Sequence, residues 1–205
     1  MRGLLRATIT RDGKAPIHVY EPVTLMPGEE REITLSPEKF AALTVEHPDL
    51  WWPYTMGRPD LYDLKLEFVQ NGQATEVATQ KKFGIRTITQ GRDSDDSFAE
   101  LGTGGNFYLQ VNGKNFLVRG ATYTPDLLYK YDPERDAAIL GYVKDLGLNM
   151  LRLESKKISS QRFVEQADEL GIPLMYGWMC CNQWRSGSNG TTRIAASRRT
   201  ACARR

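Results

Sequence analysis

The chain has 205 residues, enough for one large domain or two small ones with a sizeable hydrophobic core. It contains 27 Lys and Arg against 25 Asp and Glu, but six of the arginines lie between Arg185 and Arg205, where no acidic residue occurs. Without them the balance is 21 basic to 25 acidic residues, a net of −4, so the rest of the chain has no basic face for nucleic acid. No apolar run approaches the roughly 20 residues of a membrane span.

The first part of the chain has the pattern of an all-β domain. Short strands are predicted at Leu4–Thr10 and Ile17–Tyr20, and Ile33 and Leu35 alternate with polar neighbours in the manner of a third. The clearest strand is Leu61–Gln70, in which apolar and charged residues alternate and an Asn-Gly pair follows. Strands at this spacing predict a β-sandwich.

The second part of the chain alternates strands with helices, and a polar segment at 90–105 separates it from the first. Two strands, Phe107–Val111 and Phe116–Val118, flank another Asn-Gly pair. A helix is then predicted from Asp132 as N-cap and Pro133 to Gly147, because an apolar stripe lies between these signals.

Three more elements complete this alternation: a strand at Met150–Leu153, a helix from Ser160 to Gly171, and a buried strand at Ile172–Trp178. This order implies a parallel sheet with right-handed crossovers. Periodicity alone leaves open whether that sheet belongs to a barrel or to an open doubly wound fold. No GxGxxG motif follows the first strand, which argues against a dinucleotide site.

The last 21 residues, 185–205, form a basic, low-complexity tail. Two interpretations stay open for it, namely a disordered tail and a stretch translated out of frame. The three cysteines, Cys180, Cys181 and Cys202, show no metal-binding spacing, and His18 and His47 are isolated. We therefore expect no metal and no cofactor.

An ordered run of motifs then gives the chain a family resemblance. The motifs are HPDLWWP at 47–53, MG at 56–57, PDLY at 59–62, FGIR at 83–86, FYLQVNGK at 107–114 and VRG at 118–120. In this order they resemble glycoside hydrolase family 2 over roughly residues 1–184. YTPDL at 123–127 and GWMCC at 177–181 resemble the exo-β-D-glucosaminidase branch of that family, which removes glucosamine units from chitosan.

The resemblance implies a multidomain chain, β and then α/β. Residues 1–89 correspond to an immunoglobulin-like β-sandwich whose opening strands we expect to be missing, and 106–184 to the first three βα units of an incomplete (β/α)8 TIM barrel. Both catalytic Glu of the family then lie beyond the C-terminus, at barrel strands four and seven. The chain is thus expected to be an inactive fragment of a retaining hydrolase of β-linked glycosides.

Site residues follow from the same resemblance, and none of them is catalytic. Asp126 is expected to contact the amino group of a glucosaminide and Trp178 to stack on a sugar, while Arg152 orients the nucleophile. Barrel-mouth positions are Tyr123, Glu154 and Met179. Met179 stands where the glucosaminidases tend to carry a Glu, and a thioether cannot pair with an ammonium group.

Alternative functions remain open because of that departure. One is a β-mannosidase-like specificity, and another is a non-catalytic carbohydrate-binding module. We expect a carbohydrate as the partner, without nucleic acid or membrane, and an extracellular or periplasmic location for the full-length enzyme. The oligomeric state is open. Trp51 and Trp52 are expected to pack between domains rather than to contact a ligand.

Overall fold

The computed structural model describes residues 1–92, 107–124, 132–153 and 160–176, with the backbone alone for 75–78. They fall into two compact units. The first contains 1–118, as far as described, together with 165–172; the second contains the described residues of 119–164 and 173–176. Helix α2 is divided between the units, because its second half belongs to the first unit.

The larger sheet of the first unit is antiparallel and has the strand order β2-β1-β3-β4. Its strands are β1 (Arg2–Thr10), β2 (Ile17–Thr24), β3 (Tyr62–Gln70) and β4 (Gln73–Phe83). The alternation seen in the sequence separates the two faces. One face buries Ala7, Val19, Val23 and Tyr62, and the other carries the polar pairs Arg6–Glu67 and Thr8–His18.

The second sheet of the first unit is also antiparallel, in the order β5-β6-β7. It consists of β5 (Ile88–Arg92), β6 (Phe107–Val111) and β7 (Lys114–Asn115). The Asn-Gly pairs at 71–72 and 112–113 both adopt positive φ and form the predicted tight turns between β3 and β4 and between β6 and β7. The antiparallel sheets are consistent with a β-sandwich domain, although β6 and β7 lie in the segment that was predicted to open the second part of the chain.

Three local predictions in the first unit differ from the structure. Ile33 and Leu35 are half-buried, as is Ser36, but no strand of the described part pairs with them. The strand predicted at Phe116–Val118 lies earlier in the chain, as β7 at Lys114–Asn115. Of the predicted residues, Phe116 still contacts β6, because its N–H donates to the Leu109 carbonyl at 2.8 Å.

The third difference is at the start of the segment predicted as a linker. Gln90 pairs with Leu109 and Arg92 with Phe107, so β5 continues through the first three residues of that segment. The pairing is made by backbone groups, which the polar side-chain composition does not reveal. Residues 93–106 lie outside the described part of the chain.

The second unit has a three-stranded parallel sheet in the order β10-β9-β8. Its strands are β8 (Gly120–Tyr123), β9 (Met150–Leu153) and β10 (Leu174–Tyr176), joined through α1 (Pro133–Asp145) and α2 (Gln161–Leu170). The predicted alternation of strands and helices is therefore present in the described residues. The last strand differs from the buried strand predicted at Ile172–Trp178, because it begins at Leu174, and Met175 and Tyr176 are exposed.

Both helices start at the residues that the sequence predicts. The Asp132 carboxylate accepts the N–H groups of Glu134 and Arg135, with Pro133 in the first helical position. The Ser160 hydroxyl oxygen accepts the N–H of Phe163 at 3.0 Å at the start of α2. Side-chain capping of this kind satisfies N–H groups that have no partner inside a helix.

Candidate functional site

The carboxyl ends of the three parallel strands meet along one edge of the sheet. β8 ends at Tyr123, β9 at Leu153 and β10 at Tyr176. In α/β folds such an edge is where ligands and reacting groups gather, because the loops that follow the strands converge there. Tyr123 and Arg152 are the predicted site residues within the described part. The others lie outside it: Asp126, Glu154, Trp178 and Met179.

The strand register divides the side chains at this edge between two faces. Tyr123 is paired with Leu153, and residues paired across a parallel ladder point to the same side of the sheet. Thr122, Arg152 and Met175 are paired with one another across the three strands and occupy the opposite face. The predicted site residues Tyr123 and Arg152 therefore point in opposite directions.

Tyr123 points to the helices of the second unit. Its ring stacks on Phe163, which is fully buried in α2, with centroids 5.3 Å apart and an interplanar angle of 13°. Its hydroxyl donates a hydrogen bond to Oδ1 of Asp136, 3.2 Å away in α1. The last residue of β8 is thereby joined to both helices, and its role at a barrel mouth stays a prediction.

Asp136 has an unusual electrostatic environment for a helix residue. Burial raises the pKa of its carboxyl above the ordinary 3.8, and the nearby Asp132 carboxylate acts in the same direction. The hydrogen bond from Tyr123 and the positive charge of Arg135 oppose this change. Asp136 is not recognisable from the sequence, since an acidic residue in the first turn of a helix is common because it interacts favourably with the helix dipole.

Arg152 lies on the face that the helices do not cover, half-buried between Thr122 and Met175. Met175 is 53% exposed, which is high for a thioether side chain inside a sheet. A guanidinium group offers five N–H donors and retains its charge, so this face can hold a carboxylate or the hydroxyl groups of a sugar. The role of Arg152 stays a prediction.

A second cluster of functional interest surrounds Trp51 in the first unit. The indole is fully buried, and its Nε1–H donates to the backbone carbonyl of Asp168 at 2.8 Å. The Arg86 guanidinium lies 4.3 Å from the ring centroid, and one of its nitrogens is 3.3 Å from the Asp168 carboxylate. The expectation that Trp51 packs rather than binds a ligand agrees with this burial.

The chain next to Trp51 fixes the segment that follows α2. The Tyr54 N–H donates to the Gly171 carbonyl at 2.9 Å, and Gly171 has φ +71°. The carbonyl groups at the end of a helix carry partial negative charge and have no partners within it. The indole N–H at Asp168 and the cation of Arg86 therefore complement the C-terminal end of α2.

Two further features of the described part of the chain concern metal ions and membranes. Its His, Cys, Asp and Glu residues form no group of three or more that could hold a metal ion. Neither described helix combines the length and apolar character needed to cross a bilayer.

Comparison with known proteins gives three informative similarities. The "Exo-beta-D-glucosaminidase" of Amycolatopsis orientalis is 36% identical over 172 residues, 84% of this chain and 15% of the relative. The crystal structure of Amycolatopsis orientalis exo-chitosanase CsxA aligns with a TM-score of 0.66 at 32% identity, covering 92% of this chain and 20% of that chain. "Beta-mannosidase A" of Aspergillus clavatus is 27% identical, over 76% of this chain and 18% of the relative.

The chain thus spans between 15% and 20% of the length of these relatives. Residues 5–86 match the family model of "Glycosyl hydrolases family 2". This matched range covers most of β1 and all of β2 to β4 in the first unit, with Trp51 and Arg86, and the similarity to the glucosaminidases continues into the second unit. Residues 5–86 thus belong to a domain of glycosyl hydrolase family 2.

Proposed function

We propose that this chain is part of a retaining glycoside hydrolase that acts on β-linked glucosaminides such as chitosan oligosaccharides. The observation that carries the proposal is the 36% identity to an exo-β-D-glucosaminidase over 84% of the chain, a range that includes both units. In this proposal the three parallel strands are the first strands of a (β/α)8 barrel, and the sugar lies at their carboxyl ends.

The described residues support a binding and positioning role rather than the bond-breaking step. Retaining glycosidases need two carboxyl groups about 5–5.5 Å apart, one as acid/base and one as nucleophile. We assign neither role to any residue of this chain and expect the 205 residues alone to be inactive. Arg152 is proposed to orient the nucleophilic carboxylate, because a guanidinium group pairs with both carboxylate oxygens and favours the charged form.

Selectivity for an amino sugar is proposed to come from Asp126. A carboxylate recognises an ammonium group through a charge-assisted hydrogen bond, and a neutral sugar hydroxyl gains less from it. Trp178 is proposed to stack on the sugar ring, and Glu154 and Met179 are proposed to lie around the barrel mouth.

A β-mannosidase-like specificity is the second candidate. Met179 favours it, since a thioether offers no charge to an amino group, and the similarity to β-mannosidase A covers 76% of the chain. The two candidates differ in one measurable respect, namely the preference between an amino sugar and a neutral one.

A chimera tests the proposal. Residues 1–184, which include Trp178 and Met179, would replace the corresponding segment of the Amycolatopsis orientalis relative, and hydrolysis of p-nitrophenyl β-D-glucosaminide and β-D-mannoside would be compared. We expect preference for the glucosaminide. Asp126→Asn should lower kcat/KM for the glucosaminide roughly 10- to 100-fold, with little change for the mannoside.

Asp12→Asn, at an exposed turn of the sandwich, is the matched control and should change neither rate. Preference for the mannoside would support the second candidate. A folded chimera that hydrolyses neither compound would contradict both.

A further inference from the structure

The position of Tyr123 at the sheet edge does not fit a direct sugar contact. Its side chain lies on the helix-covered face, with its ring against Phe163 and its hydroxyl at Asp136. The paired residue on β9 is Leu153, which is fully buried on the same face. A ring held in this layer is directed away from the face that carries Arg152.

We propose that Tyr123 and Asp136 form a positioning pair, which fixes the first turn of α1 against the carboxyl end of β8. Tyr123 acts in it through Asp136 and Phe163, and not by touching sugar. The proposal rests on the proposed function in one respect: it takes the carboxyl edge of the sheet as the edge that carries the sugar site.

The geometry of α1 explains why one hydrogen bond can have this effect. Asp132 caps the helix through the N–H groups of Glu134 and Arg135, and the Asp136 N–H donates to the Asp132 carbonyl at 3.0 Å. Asp136 is thus in the first turn, whose backbone geometry is already defined. A bond from its carboxylate to Tyr123 therefore joins a rigid helix start to a strand end 13 residues earlier in the chain.

The environment of the Asp136 carboxyl supplies a second readout. Among the described residues, the charged groups that face it are Asp132 and Arg135 from α1. The neutral Tyr123 hydroxyl faces it from β8, and Phe163 from α2 contributes no charge. Burial raises the pKa of Asp136 above its value in the unfolded chain. Stability from this group is therefore fully present below the unfolded pKa and is lost as pH rises through the folded pKa.

Amide hydrogen exchange on the full chain tests the pair without any substrate. Tyr123→Phe keeps the ring and removes the donor, and Asp136→Ala removes the acceptor. Each should accelerate exchange in β8 and in the first turn of α1 about fivefold. Asp136→Asn keeps an acceptor oxygen and should stay within about twofold of the wild type at neutral pH.

Two comparisons decide the outcome. If the two residues act as a pair, amide exchange in the double variant Tyr123→Phe/Asp136→Ala should be no faster than in either single variant. Asp136→Asn should also abolish the loss of exchange protection that the wild type shows when the pH is raised. Additive effects, or an Asp136→Asn variant as unprotected as Asp136→Ala, would overturn the proposal. If Asp136→Ala does not fold, the exchange protection of Tyr123→Phe is compared with that of Asp136→Asn. The pair requires that only Tyr123→Phe loses protection, so this comparison also tests the proposal.

This test is independent of catalysis. An inactive chimera would contradict the glycosidase proposal and leave the exchange result standing. An active chimera whose chain shows no coupling between Tyr123 and Asp136 would overturn the positioning pair alone.

Discussion

The two units depend on different kinds of contact. In the first, the fully buried Trp51 is bonded to Asp168, 117 positions later in the chain, and its own carbonyl accepts a hydrogen bond from Asn112. In the second, Tyr123 reaches Asp136 over 13 positions and Arg119 reaches Asn149 over 30. The fully buried Trp51 thus gathers hydrogen bonds from distant parts of the chain in the first unit, whereas these contacts of the second unit join positions that lie closer along the chain.

The largest expected effect is at Trp51. Trp51→Ala should lower the free energy of unfolding by about 3–5 kcal/mol, because it leaves a cavity and removes the donor to Asp168. Urea unfolding followed by circular dichroism measures this change. Trp52→Ala is the control, since Trp52 is only half-buried and packs beside Lys114. An equal loss in both variants would contradict the central role of Trp51.

A smaller effect is expected at Gly171, and Gly147 in the other unit is its matched control. Both have positive φ, +71° and +67°, which an alanine adopts only with strain. An added Cβ at Gly171 would lie 2.8 Å from the Tyr54 nitrogen, whereas at Gly147 nothing lies within 4 Å.

Gly147→Ala should therefore lower the free energy of unfolding by about 1 kcal/mol. Gly171→Ala should lower it by about 1–3 kcal/mol. Thermal or urea unfolding measures both changes. The difference between them isolates the crowding at Tyr54. Equal losses would mean that the contact of Tyr54 with Gly171 adjusts without cost.

The second unit is best tested at the start of α1. Asp132→Ala removes the acceptor for the N–H groups of Glu134 and Arg135. It should lower the free energy of unfolding by about 1 kcal/mol. Asp145→Ala at the other end of the helix is the control, because an acidic residue there opposes the helix dipole and its removal should be neutral or slightly favourable. Exchange of the α1 amides would show whether the loss is confined to this unit, and a loss spread evenly over both units would break the comparison.

The smallest effect concerns pH and the Arg6–Glu67 pair on the larger sheet. Hydrogen bonds from Lys65 and then from Arg6 hold the pKa of Glu67 below its ordinary 4.5, against the opposing effect of desolvation. The stabilisation is present above the unfolded value and is lost as pH falls through the lowered pKa. Glu67→Gln should remove this part of the acid dependence of unfolding, and the exposed Glu46→Gln should leave it unchanged.

Much of the fold could be predicted because local signals coincide with it. The helix starts at Asp132 and Ser160 and the Asn-Gly turns at 71–72 and 112–113 are each decided by a few neighbouring residues. The strand β5 was missed in part because backbone pairing with β6 determines it. Ile33 and Leu35 gave a strand pattern without a partner strand, which no local pattern can supply.

The candidate site was less predictable for a related reason. The resemblance to family 2 selected Tyr123 and Arg152 by position along the chain, but the face on which each lies depends on strand register. Asp136 carries no distinctive motif, and its importance arises only from burial and from Tyr123. The family could therefore be identified from short motifs, whereas the division of roles around the sheet edge required the three-dimensional arrangement.

The distance along the chain between Trp51 and its acceptor also determines when their hydrogen bond can form during synthesis. The ribosome adds roughly 5–20 residues per second, so Asp168 follows Trp51 after about 6–23 seconds, at a separation of 117 residues. Throughout that interval the indole lacks the carbonyl that satisfies its N–H. Nascent chains of this protein should therefore present an exposed aromatic surface to holdase chaperones until the end of α2 has emerged.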